Sequence, residues 1–148
     1  MVEKEVSHSL VGEYSHSVDP KGRVLLPSKY RDIFGDVVYL ARTIDDCITA
    51  YTAKAWAELT EKLNSQPSTK LRDYRRRFFS SACDVQVDSA GRILLPPKLR
   101  EIAGIDKSAK IIGAGEYAEI WNEEVYEKRM AALDESGDFE DMLNEMGL

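Results

Sequence analysis

Two arginines stand at equivalent places in two short segments of related sequence. Residues 19–31 read DPKGRVLLPSKYR, and residues 88–100 read DSAGRILLPPKLR, an offset of 69 residues. In each segment the arginine follows a glycine and lies four residues after an aspartate. A guanidinium at such a bend can bind a phosphate or the edge of a guanine, and it can also pair with the aspartate. The chemistry that this pattern favours is recognition of an anion or a base.

Each segment predicts a tight turn, a short strand and a short helix. Asp19 and Asp88 suit the first position of a type I turn, and Gly22 and Gly91 suit the last. The apolar run after each arginine predicts a short buried strand. The proline that follows this run fits the first turn of a helix, so these four residues are predicted to form the two turns.

The chain contains an internal duplication. Residues 18–35 and 87–104 agree at 11 of 18 positions. With the offset increased to 70, Tyr51 also aligns with Trp121. The repeat therefore covers a whole folding unit, and two such copies predict a module with pseudo-twofold symmetry.

Five basic residues lie on the two turns and the first short helix, and those of the turns are the candidates for contact with DNA. Arg23 is favoured because Lys21 adds positive charge to the same turn, whereas the second turn has no lysine and makes Arg92 the weaker candidate. Lys29 and Arg31 are predicted to lie on the first short helix. Exposed charges on a helix usually form only a solvated face, so these two have a simpler explanation as well.

An enzyme is not predicted. Both histidines lie within the first sixteen residues, and the sequence has no nucleophile elbow, metal-ligand spacing or phosphate-binding loop. No cofactor and no metal are expected, and His16 is interpreted as a packing residue. Cys47 and Cys83 lie among strand-like apolar residues, which favours buried thiols and leaves a disulfide open.

The negative charge is concentrated at the carboxyl end. The net charge is −6, yet residues 116–148 hold eleven acidic and two basic residues. The densest basic run is residues 70–77, on a predicted helix. We interpret that run as an interface between copies of the chain, with the acidic end as its partner, more readily than as a DNA reader.

The ends of the chain indicate a cytoplasmic protein. Residues 1–6 lack the apolar core of a secretory signal, and no apolar run approaches the length of a membrane span. Residues 1–11 are mixed and polar and predict an irregular start. The sequence therefore predicts a soluble, cytoplasmic chain.

The pattern of an aspartate, a glycine-arginine pair, an apolar run, a proline and then K-x-R resembles the SpoVT–AbrB DNA-binding domain. Its tandem occurrence is similar to the MraZ family of bacterial transcriptional regulators. The resemblance implies a mainly β fold with short helices (α+β), in which two swapped-hairpin, double-psi-type units form one module. The predicted divisions are repeat 1 over 12–55, a helical connector over 56–80, repeat 2 over 81–126 and an acidic helical tail over 127–148.

The same resemblance implies a function and a partner. It implies a sequence-specific regulator of the division and cell-wall gene cluster, associated with the nucleoid, that binds repeated boxes in double-stranded promoter DNA. The assembly implied is a ring-shaped homo-oligomer, such as an octamer. Arg23 and Arg31 match positions of the DNA-binding surface in the wider group, which makes Arg31 and Lys29 on the first short helix candidates for contact with DNA as well. His16 and Asp32, by contrast, replace arginines of the prototype. The alternative is an oligomeric scaffold for protein interaction, without specific readout of DNA.

Overall fold

The structure is a computed structural model that describes residues 9–148. The predicted irregular start falls largely on residues 1–8, outside the described residues. Over the described range the chain forms eight strands and six helices, so the predicted α+β fold is confirmed. The strands are all paired antiparallel.

The two copies have the same order of elements. The first copy consists of β1 (Glu13–Ser17), β2 (Arg23–Leu25), α1 (Ser28–Phe34), β3 (Val37–Arg42) and β4 (Ile48–Tyr51). Two connecting helices follow, α2 (Ala53–Asn64) and α3 (Ser68–Ser81). The second copy consists of β5 (Cys83–Gln86), β6 (Arg92–Leu94), α4 (Pro97–Ala103), β7 (Ser108–Gly113) and β8 (Tyr117–Trp121). The chain continues with α5 (Glu123–Ser136) and α6 (Asp138–Glu145).

The copies exchange strands, so neither has a sheet of its own. The six-stranded sheet has the order β1-β7-β8-β4-β3-β5, and β1 of the first copy pairs with β7 of the second. The equivalent strand of the second copy, β5, pairs with β3 of the first. The central pair is β4 with β8, which are equivalent strands. These pairings give the module the pseudo-twofold symmetry that the duplication predicts.

The second sheet is a ribbon of only two strands, β2 and β6. Val24 pairs with Ile93 at its centre, and both side chains are fully buried. Because side chains alternate along a strand, the residues on either side of this pair face outward. The ribbon therefore has one face in the core and one face in solvent.

The main core lies between the ribbon, the large sheet and the two short helices. It includes Leu26 and Tyr30 from the first copy and Leu95 and Leu99 from the second, all at most 2% exposed. The Tyr30 hydroxyl donates a hydrogen bond to the carbonyl oxygen of Val11 at 2.7 Å, which satisfies its buried polar end. Two small copies thus share one core that neither could form alone.

The connecting helices cover one region of the large sheet with aromatic side chains. Helix α2 begins at Ala53, three residues before the predicted connector, because the Thr52 hydroxyl accepts a hydrogen bond from the Ala55 N–H. The Trp56 ring stacks on Tyr39 and on Phe78 of α3, with centroids 5.4 Å and 5.6 Å apart. These contacts hold α2 and α3 against strand β3.

Charged contacts attach helix α5 to the module. Arg129 of α5 pairs with Asp45 at 2.9 Å and lies over the Trp121 ring. Lys110 of β7 forms an ion pair with Glu127 of α5. Helix α5 has no buried residue, and α6 follows it after a turn at Gly137. These helices lie on the surface of the module.

Both cysteines are free thiols and do not form a disulfide, in agreement with the interpretation that the sequence favours. Cys47 is buried, and burial raises the pKa of its thiol to about 12. Cys83 is half-buried, and burial raises its pKa as well. Among residues 9–148, no helix combines the length and the apolar character that crossing a bilayer requires.

Candidate nucleic-acid interface

The first turn is built around the carboxylate of Asp19. Its Oδ1 accepts hydrogen bonds from the backbone N–H groups of Lys21 at 3.0 Å and Arg23 at 2.8 Å. Its Oδ2 accepts from the Arg23 Nε at 2.7 Å, and the Gly22 N–H donates to the Asp19 carbonyl oxygen at 2.8 Å. The Asp19 carboxylate therefore fixes the backbone of the turn and, through Nε, also orients the Arg23 guanidinium.

The second turn repeats this arrangement. Asp88 accepts hydrogen bonds from the backbone N–H groups of Ala90 at 3.0 Å and Arg92 at 2.8 Å, and from the Arg92 Nε at 2.9 Å. The Arg92 Nη1 also lies 3.9 Å from the Asp19 Oδ2 of the first turn. The two turns are thus neighbours, and their charges interact across the pseudo-twofold axis.

The outer face of the ribbon brings the two arginines together with two leucines. Arg23 pairs with Leu94, and Leu25 pairs with Arg92. Leu25 is 36% exposed and Leu94 is 47% exposed. The expectation that the whole apolar run is buried is wrong for these two leucines, because each lies one residue from a buried neighbour on a strand. Side chains alternate between the two faces of a strand, and this alternation could have predicted from the sequence that the two leucines are exposed.

Each turn is braced by an arginine from the other copy. Gly22 has φ +89°, and a Cβ there would lie 2.7 Å from the guanidinium carbon Cζ of Arg100. The Arg100 Nε donates to the Leu95 carbonyl oxygen at 2.9 Å, and the Leu95 N–H donates to the Gly22 carbonyl oxygen at 2.9 Å. Arg100 on α4 therefore fixes the position of the first turn, a role that the sequence did not reveal.

Arg31 makes the equivalent contacts for the second turn. Its Nε donates to the Leu26 carbonyl oxygen at 2.9 Å, and the Leu26 N–H donates to the Gly91 carbonyl oxygen at 2.8 Å. A Cβ at Gly91 would overlap the Arg31 guanidinium. Arg31 thus has a structural role that sequence reasoning did not anticipate. Its predicted contact with DNA stays a prediction.

The lysines of the site are free of such constraints. Lys21 and Lys29 are exposed, one at the tip of the first turn and one on α1. All five basic residues predicted for DNA contact lie on the ribbon, its turns or helix α1. The structure therefore places Arg23 and Arg92 on the outward face of the ribbon, Lys21 on the turn before it, and Lys29 and Arg31 on the helix that follows β2.

Comparison with known proteins identifies the family. The family model for the MraZ protein matches residues 10–76 and 78–146, nearly the whole described chain. The chain belongs to the MraZ family. Relatives named transcriptional regulator MraZ include one from Caldicellulosiruptor saccharolyticus, 45% identical over 93% of this chain and 96% of its own. Another from Caldicellulosiruptor bescii is 46% identical over 82% of this chain and 86% of its own. That name describes a non-enzymatic role, as the sequence predicts.

The described part of this MraZ family member contains no cluster of side chains that resembles a metal site. Over residues 9–148, no group of three or more histidine, cysteine or carboxylate side chains lies close enough together to bind a metal ion.

The predicted turn-forming residues make the hydrogen bonds that hold the two turns. The contact of the five basic residues with DNA stays a prediction.

Acid is expected to loosen both turns. The backbone N–H of Arg23 donating to its carboxylate is the largest reason that the pKa of Asp19 lies below the ordinary 3.8, followed in the same direction by the Arg23 side chain. The pKa of Asp88 is lowered by Arg92 in the same way. A lowered pKa in the folded state stabilises the fold above pH 3.8, and this contribution is lost as the pH falls through the lowered value.

Urea unfolding of the wild type and of Asp19→Asn at pH 6 and pH 3 measures this loss. The difference in unfolding free energy between the two proteins should be clearly smaller at pH 3. Asp106→Asn, which changes an exposed carboxylate on the loop between α4 and β7, serves as the control. A difference for Asp19→Asn that is the same at both pH values would contradict the expected role of the carboxylate.

Proposed function

We propose that this chain is a sequence-specific regulator of transcription that binds double-stranded promoter DNA through the outward face of the β2–β6 ribbon. The observation that carries the proposal is the pair of aspartate-braced arginines on that face. The names of the MraZ relatives support a regulatory role. The major groove of DNA admits a two-stranded ribbon, and this ribbon has an exposed face of suitable chemistry.

Arg23 is the proposed reader of a base. Its Nε is engaged by Asp19, so the guanidinium is oriented while its terminal nitrogens are left to donate to a guanine. Such a bidentate contact contributes about 1 to 3 kcal/mol of discrimination between bases. Arg92 is in the equivalent place on the second turn, but no lysine accompanies it. We therefore propose that Arg92 contributes less than Arg23 to DNA binding.

The exposed lysines are proposed to contact phosphates. Lys21 and Lys29 carry full charges near the ribbon, and phosphate contacts set the position and orientation of a protein on DNA. The terminal nitrogens of Arg31 are proposed to join them while its Nε continues to brace the second turn. The net charge of −6 does not oppose this arrangement because the acidic residues are concentrated in residues 116–148.

Several protomers are proposed to act together. A ring-shaped homo-oligomer, such as an octamer, would present many ribbons at fixed spacing and bind repeated promoter boxes through avidity. By resemblance to the MraZ family, we propose the promoter of the division and cell-wall gene cluster as the target. The protein would then act in the cytoplasm, at the nucleoid. Modest affinity of each ribbon would suffice in such an assembly.

The proposal is tested by an electrophoretic shift assay with the upstream region of the gene's own operon. Specific retardation is expected, with the shifted band resisting competition by unrelated DNA. The second candidate function is an oligomeric scaffold, which the exposed apolar residues of the acidic helix α6 favour. A pure scaffold gives no specific shift, so the assay decides between the two functions.

Binding is expected to weaken steeply as salt increases. Each phosphate that a lysine or arginine neutralises releases counterions from the DNA, so the logarithm of the binding constant falls linearly with that of the salt concentration. Titrations at several salt concentrations, read by fluorescence anisotropy, give this slope. Lys21→Ala should reduce it by about 1. A flat response in the wild type would argue against contact with phosphates.

A further inference from the structure

An apolar groove lies between the connecting helices and the loop that joins β3 to β4. Its volume is about 520 Å³. The apolar lining comes chiefly from Leu59 and Leu63 of α2 and from Leu71, Tyr74 and Phe78 of α3. Tyr74 is 71% exposed, so the groove is open to solvent. A groove with this apolar lining suits the apolar face of a short helix.

The rim of this groove is basic. Arg42, Arg75 and Arg77 line it beside the apolar residues. Helix α3 as a whole has five basic residues and one acidic residue. Neither Arg42 nor Arg77 forms an ion pair within 4.0 Å with any carboxylate of residues 9–148. The groove therefore presents positive charge that an acidic partner would neutralise.

Helix α6 has the complementary properties. Its four charged residues are all acidic. Phe139, Met142 and Met146 recur at helical spacing on one face and are 45%, 50% and 64% exposed. Asp138 and Glu145 border one side of this face, and Glu140 lies on the other side beyond Leu143, as helical geometry places them. The helix thus has an uncovered apolar stripe between acidic edges.

We propose that α6 of one protomer binds the α2–α3 groove of a second copy of this chain. The groove and the stripe are both exposed in the folded protomer, so neither covers the other within one chain. Their opposite charges match, and the two surfaces occur in equal numbers. The inference rests on the assembly proposed above, for which it supplies the contact.

The contact joins unlike surfaces, and this decides the kind of assembly. Each protomer has one groove and one α6, so it binds one neighbour through each. Such a head-to-tail interface closes into a ring when the rotation permits, and otherwise it grows as a filament. A symmetric dimer is not its product unless both chains exchange their helices.

A lysine in the apolar stripe tests the contact. Met142→Lys should reduce the mass in solution from that of the oligomer to that of one protomer, 16.7 kDa. Val125→Lys puts the same charge on an exposed apolar position of α5 and should leave the oligomer intact. Both positions are exposed, so circular dichroism and thermal unfolding should show folded protein in both cases.

Mixing two variants tests the head-to-tail arrangement. The double variant Arg42→Glu, Arg77→Glu should also be a single protomer, because its groove repels α6. Mixed with Met142→Lys, it should give a dimer and nothing larger, since the mixture retains one intact groove and one intact α6. Adding Glu140→Arg to the groove variant should restore part of the assembly. These masses are measured by light scattering coupled to size exclusion.

The outcomes separate this inference from the proposed assembly. A wild-type protein that is a single protomer at all concentrations overturns both. An oligomeric wild type whose Met142→Lys variant keeps its full mass overturns the contact alone. A mixture of the two variants that yields no dimer likewise contradicts the head-to-tail contact. Specific retardation of DNA by a single protomer would leave the regulatory function standing without the ring.

Discussion

Arg23→Ala is expected to abolish specific binding to promoter DNA while the oligomer and the fold persist. The turn depends on hydrogen bonds from backbone N–H groups to Asp19, and these do not need the guanidinium. The Arg23–Asp19 ion pair lies at the surface, where solvent screens its charges, so its loss should cost little stability. The base contact, by contrast, is lost at every ribbon of the assembly at once.

Two measurements on the same material establish the result. Electrophoretic shift with the promoter fragment should show no specific complex, and light scattering should show an unchanged mass. Arg129→Ala is the matched control, since it also removes an arginine–aspartate pair but from helix α5. Wild-type affinity of a folded, oligomeric Arg23→Ala protein would remove Arg23 from the DNA interface.

Gly22→Ala and Gly91→Ala are expected to lose similar stability but different amounts of DNA affinity. Both glycines have φ above +80°, which costs about 1 to 2 kcal/mol for a residue with a Cβ. Each new methyl group would also displace the arginine of the other copy, Arg100 or Arg31, from its carbonyl partner. Gly22→Ala distorts the turn that presents Lys21, so specific binding should fall at least tenfold further in that variant.

The two variants serve as controls for each other because the local geometry is nearly the same. Urea unfolding gives the stability of each, and anisotropy titration with the promoter fragment gives the affinity. An equal loss of affinity would mean that the second turn, or the Arg31 that braces it, contributes as much to binding as the first turn. Loss of affinity in Gly91→Ala alone would remove the first turn from the DNA interface.

The sequence predicted the local structure of the module because the information for it is local. Asp19 and Gly22 specify a turn through their own backbone preferences, and the apolar run after each arginine specifies a short strand. The repetition of this sequence pattern implies two equivalent units, which the strand order shows. Membership of the MraZ family followed from the same residues and is confirmed by the family model.

The pairing of strands between copies and the bracing of each turn were beyond such reasoning. Periodicity shows that residues 13–17 form a strand, but many neighbours satisfy the same pattern, so it does not select β7 as the partner. Arg31 and Arg100 look like exposed helix charges because nothing near them in sequence reveals a glycine of the other copy. Contacts between distant parts of a chain depend on the assembled core, which propensities do not describe.

The exchange of β1 and β5 has a consequence for synthesis on the ribosome. Glu13 pairs with Ile112, so the first strand has its partner only after most of the chain has been translated. Contacts so distant in sequence carry a large cost in loop closure and slow folding. The nascent first copy therefore emerges with two unpaired strands, and we expect it to wait for the second copy or to associate with another nascent chain.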